Sequence, residues 1–175
     1  EQDENRLEAA IDHYEKAVVG LQDPLRLTEA LHALAMIWFR TGNIVKAELL
    51  FQQLIEVAKE YSLTRAMGYG YLSLAEVARI RNDISEAIID LEQAQQYSQK
   101  ANDPKLTTLI ITQQGLIYAQ SGNLLLAQEY YQQLDVYLQS TEMSEELLKR
   151  ARSSLMLNRA RLAERRKREM LQQLA

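Results

Sequence analysis

Apolar side chains recur at steps of three and four residues along most of the chain, and polar or turn-forming residues interrupt this pattern at regular places. Stripes with this spacing predict amphipathic helices. The predicted helices cover residues 5–21, 24–41, 44–60, 63–81, 84–101, 104–120 and 124–139, followed by a last helix that starts with Ser144 as its N-cap. Most of them carry one apolar stripe, so each needs a neighbouring helix to bury it.

A short motif occurs three times, as Thr41–Ala47 (TGNIVKA), Arg81–Ala87 (RNDISEA) and Ser121–Ala127 (SGNLLLA). The spacing is constant at about 40 residues, and a fixed period of this size is typical of stacked repeats. Gly42 can adopt the left-handed conformation that ends a helix, and a connector of a few residues makes two consecutive helices antiparallel. We therefore expect an all-α fold, a right-handed α-solenoid of antiparallel helix hairpins with a long C-terminal capping helix.

The period also predicts the domain organisation. Residues 1–143 form the helical repeats, with a half repeat at 5–21 and hairpins at 24–61, 63–101 and 104–139. A fourth motif is due near residue 162 but is missing, so residues 144–175 are predicted to form one uninterrupted helix that caps the stack and then extends into solvent. The chain begins without Met and ends on a charged helical stretch, and we expect it to be part of a longer protein.

Composition narrows the functional classes. The hydrophobic fraction of 47% and the charged fraction of 25% suit a folded chain, and six Gly and two Pro favour helix. The chain has no Cys, which excludes disulfides and thiolate metal sites. It contains no apolar run near the roughly 18 residues that a membrane helix needs.

Charge is distributed unevenly along the chain. Residues 1–143 carry 11 Lys or Arg against 20 Asp or Glu, whereas residues 144–175 carry 9 against 4. The basic cluster Arg165–Arg168 has three interpretations: a solvated linker helix, a signalling helix that dimerises and passes a state to a further domain, or a contact with nucleic acid or an anionic membrane. Aromatic residues for base stacking are missing beside it, which disfavours nucleic acid.

The repeated pattern resembles the tetratricopeptide repeat, a helix-turn-helix unit with small residues in two columns, here Ala35, Ala75, Gly115 and Ala47, Ala87, Ala127. The period is longer than the usual one of that family. It is similar to the longer repeats of bacterial regulators such as the maltose-regulon activator and the Rap phosphatases, and of kinesin light chains. The resemblance implies that a partner protein or peptide binds in a concave groove lined by the first helix of each hairpin.

On the family's pattern, the predicted groove residues combine apolar and polar side chains. They are Glu29, His32, Met36, Phe39, Tyr69, Leu72, Ser73, Glu76, Arg79, Thr112, Gln113 and Leu116. The Lys and Asn residues with which chaperone-binding members hold a C-terminal carboxylate are missing from these positions, so a helical or extended peptide with apolar anchors fits better. Alternatively, Met36, Phe39, Leu72 and Leu116 only pack against neighbouring helices.

Catalytic signals are weak. His13 and His32 fall on different predicted helices and have no Asp or Glu at metal-ligand spacing. The chain contains no phosphate-binding loop, nucleophile elbow or zinc-protease motif, and the glycines of Gly68-Tyr69-Gly70 are better explained as making room for a neighbouring helix. We expect a non-enzymatic chain without cofactor or metal.

The sequence thus predicts a protein-interaction or sensory module of a cytoplasmic, bacterial signalling or transcription regulator. A homodimer through the C-terminal helix is compatible with this prediction, and no membrane partner is expected. The alternative function is a structural scaffold that self-associates through its terminal helices.

Overall fold

The computed structural model describes residues 2–174, which form eight α-helices and contain no strand. The helices are α1 (Gln2–Gly20), α2 (Pro24–Arg40), α3 (Ile44–Glu60), α4 (Thr64–Ile80), α5 (Ile84–Ala101), α6 (Pro104–Gln120), α7 (Leu124–Ser140) and α8 (Glu145–Gln173). The first helix begins before the predicted start at Asn5, and the other bounds agree with the predicted ones to within a single position.

The repeated motif makes the turn inside each hairpin. Gly42, Asn82 and Gly122 all have positive φ, at 86°, 62° and 88°. Asparagine tolerates this left-handed region better than most residues, which explains why Asn82 can replace glycine. The next residue of each motif is an N-cap: Asn43, for example, accepts a hydrogen bond from the backbone N of Lys46 at 3.2 Å. The motif therefore ends one helix and begins the next.

Consecutive helices pack against each other along the whole stack. The hairpins are α2 with α3, α4 with α5, and α6 with α7, while α1 packs on α2 and α8 packs on α7 and α6. The first helices of the hairpins, α2, α4 and α6, also contact one another in that order. The expected all-α solenoid of antiparallel hairpins with a capping helix is confirmed.

Small residues allow the helices to approach closely, as the two columns predicted. Ala35 and Ala75 are fully buried, as are Ala47, Ala87 and Ala127. The paired glycines of α4 have the same role: a Cβ at Gly68 would lie 2.5 Å from Cδ2 of Leu106, and a Cβ at Gly70 would lie 2.6 Å from Cγ1 of Ile55. These close contacts hold α4 between α3 and α6.

The last helix passes residue 162 without a break, and it covers the third hairpin with Leu155, Asn158 and Leu162, which are buried. Arg159 lies beside this face; its Nη1 is 3.1 Å from Oδ2 of Asp135 on α7. The buried position belongs to Asn158 because it completes the i, i+3, i+7 spacing between Leu155 and Leu162.

Within residues 2–174, no helix combines the length and the apolarity required to cross a bilayer.

Candidate functional site

The first helices of the hairpins line one face of the stack, and the predicted groove residues lie on these helices. Their exposure divides them into three groups. Glu29 is exposed; Leu72 and Ser73 are buried; the remaining nine are half-buried, namely His32, Met36, Phe39, Tyr69, Glu76, Arg79, Thr112, Gln113 and Leu116.

Several apolar residues of the predicted groove pack inside the repeats and do not form a free surface. Leu72 is 4% exposed and belongs to the core between α4, α5 and α6. Met36 and Phe39 pack against the buried cluster around Phe51. Leu72 and Ser73 are therefore removed from the candidate contact surface. Helix position alone could not predict this, because burial depends on how closely the next hairpin stacks.

A polar network joins α4 to α6 in the middle of the groove. Gln113 Nε2 donates to Oε1 of Glu76 at 2.8 Å, and Arg79 Nε donates to Oε1 of Gln113 at 3.1 Å. Gln120 Nε2 donates to the carbonyl oxygen of Arg79 at 2.9 Å. Burial raises the pKa of Glu76, and Arg79 and Gln113 partly oppose that shift. These side chains bind each other, so the network joins the first helices of the second and third hairpins.

A cavity of about 420 Å³ lies at the N-terminal ends of α2, α4 and α6. Its walls include three predicted residues, Glu29, His32 and Tyr69, together with two cations that the sequence did not suggest, Arg65 and Lys105. Leu25 and Leu54 supply apolar surface. We call this space the N-terminal cavity. It is the part of the groove where charged, aromatic and apolar groups converge, as in a ligand site.

His32 forms the inner wall of the N-terminal cavity. Its ring lies 5.9 Å from that of Phe51 and 6.1 Å from that of Tyr69, and its Nε2 is 3.4 Å from Oγ of Ser73. Burial lowers the pKa of His32, and the nearby Lys105 ammonium lowers it further. The imidazole is therefore neutral at pH 7 and can both donate and accept a hydrogen bond.

Arg65, Tyr69 and Asp103 form a second wall. Nε of Arg65 lies 2.6 Å from Oδ2 of Asp103, and the guanidinium carbon lies 5.7 Å from the centre of the Tyr69 ring. The other carboxylate oxygen of Asp103 accepts from the backbone N of Leu106 at 3.0 Å, so one residue caps α6 and holds Arg65. The Arg65–Asp103 contact therefore joins the start of α4 to the N-cap of α6.

The Tyr69 hydroxyl is buried and interacts with Arg65 and Asp103. Burial raises its pKa and Asp103 contributes in the same direction, while Arg65 opposes the shift. The hydroxyl therefore keeps its proton at neutral pH and is a polar group at the wall of the N-terminal cavity.

The repeat period of the sequence could have indicated that Arg65 and Lys105 lie at the groove. Leu25, Arg65 and Lys105 are each one repeat period apart and occupy the first turn of α2, α4 and α6. Stacking in register therefore brings them to one end of the groove. The groove positions of the family's pattern begin further along each helix than these residues.

Part of the basic segment of α8 is bound to other residues of the fold. Arg165 donates to the carbonyl oxygen of Ala119 and pairs with Glu169 at 3.1 Å, and Arg166 donates to Gln128. Two members of the cluster thus attach α8 to the third hairpin. The cluster is therefore less available to an anionic surface than its sequence suggests.

No protein-family model matches the sequence, and no curated protein matches it. Among solved structures, the chain is similar to BtubC (BKLC) from P. vanneervenii, with a TM-score of 0.71 and 17% sequence identity over 99% of this chain and 77% of that chain. At this identity the similarity shows the fold alone.

Proposed function

We propose that the chain is a non-enzymatic protein-interaction or sensory module that binds a peptide segment of a partner protein in its concave groove. The observation that carries the proposal is the N-terminal cavity, where the buried Tyr69 hydroxyl and the guanidinium of Arg65 lie at the wall of a space of about 420 Å³. The apolar surface of Leu25 and Leu54 suits an apolar anchor side chain.

The groove is preformed, so a partner can bind without a rearrangement of its helices. The Glu76–Gln113–Arg79 network and the Arg65–Asp103 pair fix the spacing of α4 and α6. A preformed site loses less conformational entropy on binding than a flexible one. This supports peptide binding more than catalysis, since the polar groups of the groove bind each other.

We further propose that the repeats are tetratricopeptide repeats of the long-period type and that the module belongs to a cytoplasmic, bacterial signalling or transcription regulator. The turn geometry at Gly42, Asn82 and Gly122 and the small-residue columns support the family. The cytoplasmic assignment rests on the basic cluster Arg165–Arg168, which is unfavourable in a segment exported across a membrane.

The groove proposal can be tested with peptides selected from a random phage-displayed library on the immobilised chain. Their affinities are then measured by fluorescence anisotropy for Lys105→Glu and Tyr69→Ala. We expect each variant to weaken binding at least tenfold. Lys149→Glu, which makes the same charge change at an exposed position of α8, is the matched control and should bind as the wild type does. Selected peptides that bind all three variants equally would contradict the groove proposal.

Self-association as a scaffold is a second candidate, including a homodimer through α8. It is favoured by the apolar end of that helix, where Met170, Leu171 and Leu174 are 62%, 58% and 83% exposed. Deleting residues 144–175 would uncover the buried contacts of Leu155 and Leu162, so substitution is the better test. We expect Leu171→Lys with Leu174→Lys to lower the mass measured by light scattering. A wild-type chain that stays monomeric at high concentration would remove this candidate.

A further inference from the structure

A small cleft that shares no lining residue with the N-terminal cavity lies between α3 and α5 and over the C-terminal part of α4. Its volume is about 100 Å³. Leu74 and Ala78 form its apolar floor, and Glu48, Glu86 and Asp90 bring carboxylates to it. We call it the Asp90 cleft.

Asp90 is the unusual member of this cleft. The residue is only 7% exposed, and no hydrogen bond or ion pair within residues 2–174 holds its carboxylate. Its oxygens are not among the fully buried polar atoms, so they face the solvent of the cleft. A largely buried carboxylate with solvent as its partner is costly to ionise. Burial, together with the charges of Glu86 and Glu48, raises the pKa of Asp90 to about 7. The carboxylate is therefore partly ionised at neutral pH and lacks a counter-charge.

The one cation that lines the cleft, among the residues described, is already bound. Arg81 contacts both oxygens of Glu48, with Nη1 2.8 Å from Oε1 and Nη2 2.6 Å from Oε2. It makes no contact of this kind with Asp90 or Glu86. Asp83 adds a further negative charge while capping α5, since it accepts from the backbone N of Glu86 at 3.1 Å. Negative charge thus exceeds positive charge around the cleft.

We propose that the Asp90 cleft binds a primary ammonium group. An ammonium is a compact charge with three N–H donors, and Asp90 and Glu86 are one helical turn apart on α5, so both carboxylates face the same side of the helix. The methylenes behind the ammonium would lie along Leu74 and Ala78, as lysine stems do on apolar surfaces.

Other cations fit the cleft less well. A guanidinium is planar and needs two acceptors in its plane, and Glu48 already provides such a pair to Arg81. No group of three His, Asp or Glu side chains among the described residues is arranged to hold a metal ion. The ammonium can come from a lysine side chain of another protein or from a free alkyl amine, and the chemistry of the cleft is the same for both.

The test follows the Asp90 carboxyl carbon by NMR at pH 7 on the whole chain, with its signal assigned through Asp90→Asn. The probes are n-butylammonium, the peptide N-acetyl-Ala-Lys-Ala-amide, and tetramethylammonium, which has the same charge but no N–H donor. We expect a saturable shift with the first two and none with tetramethylammonium at equal ionic strength. Binding should also lower the midpoint of the Asp90 titration, because the ammonium stabilises the charged form.

Variants show whether the ammonium binds in the Asp90 cleft or responds only to the negative charge of the surface. Glu86→Gln should weaken n-butylammonium binding severalfold, and Asp90→Asn should remove it when binding is measured by calorimetry. Glu92→Gln, an exposed carboxylate of the same helix, should leave it unchanged. Lys105→Glu in the N-terminal cavity should also leave it unchanged, so failure of this proposal and failure of the groove proposal are distinguishable.

The relative affinities identify the source of the ammonium. Binding of the lysine peptide at least tenfold tighter than n-butylammonium assigns the cleft to a partner's lysine, and equal affinities assign it to a free amine. An equal response to tetramethylammonium, tighter binding of Mg²⁺, binding retained in Asp90→Asn, or no saturable response overturns the proposal. In the last case the proton alone neutralises Asp90.

Discussion

Gly115 of α6 lies directly against the ring of Tyr131 of α7. A Cβ at Gly115 would come within 2.3 Å of Cε1 and 2.7 Å of Cδ1 of that ring, and Tyr131 is 1% exposed. The absence of a side chain at Gly115 therefore creates the space that Tyr131 fills, and the third hairpin closes around this pair.

We predict that Gly115→Ala destabilises the chain by about 1 to 3 kcal/mol, because the ring cannot move without overpacking the core. The loss should appear although alanine favours helix over glycine by about 1 kcal/mol. Gly20→Ala is the matched control, since a Cβ there would meet no atom within 4 Å. Equal denaturant midpoints for the two variants would show that the Gly115–Tyr131 contact is not tight.

A second prediction compares the two Asp-Pro helix starts. Asp23 and Asp103 both cap a helix, but Asp103 is 8% exposed and also pairs with Arg65. We expect Asp23→Ala to cost about 1 kcal/mol, the usual value of a lost N-cap. Asp103→Ala should cost up to about 1 kcal/mol more than Asp23→Ala, because it also removes the ion pair with the largely exposed Arg65. The measurement is urea denaturation followed by circular dichroism, and equal losses would contradict the role given to the ion pair.

The pH dependence of stability should depend on Asp90. Its folded-state pKa is raised from 3.8 to about 7, so the folded state binds more protons between these values and the wild type loses stability as pH rises through that window. The loss is at most about 4 kcal/mol, from roughly three pKa units at about 1.36 kcal/mol each.

Asp90→Asn should remove this slope, so that the variant is more stable than the wild type at pH 8 and not at pH 4. Thermal denaturation from pH 4 to 8 measures the difference, with Glu92→Gln as the control. The titratable or charged groups around Asp90 are Glu48 of α3, Tyr71 at the middle of α4, Arg81 and Asp83 between α4 and α5, and Glu86 of its own helix. A slope that persists unchanged in Asp90→Asn would assign the effect to one of them.

The attachment of α8 provides a fourth prediction. Arg165 donates to the carbonyl oxygen of Ala119 at the end of α6, whereas Arg168 is exposed. Arg165→Ala should lower stability by about 1 kcal/mol, the usual net value of one hydrogen bond, because the Arg165 side chain is partly exposed. Hydrogen exchange should become faster in residues 160–173. Arg168→Ala should change neither quantity, and equal exchange in the two variants would refute the attachment.

The sequence was informative wherever the interaction is local. Short sequence patterns record contacts between near neighbours in the chain. These contacts determine the positions of α2 to α8, the turns at Gly42, Asn82 and Gly122, and the cap at Ser144. The constant repeat period then determined that equal elements stack, and the columns of Ala47 and Ala75 followed from it.

Tertiary structure decided which of the predicted groove residues are accessible. Leu72 and Ser73 occupy groove positions by register but are buried, because α5 and α6 close over that part of α4. Three further features also depend on the distance between neighbouring hairpins. They are the pairing of Arg65 with Asp103 across two hairpins, the N-terminal cavity around Tyr69, and the burial of Asp90 without a donor from the protein. That distance is determined by how side chains from separate repeats interlock, so a helix pattern specifies the elements while the packing between them creates the candidate sites.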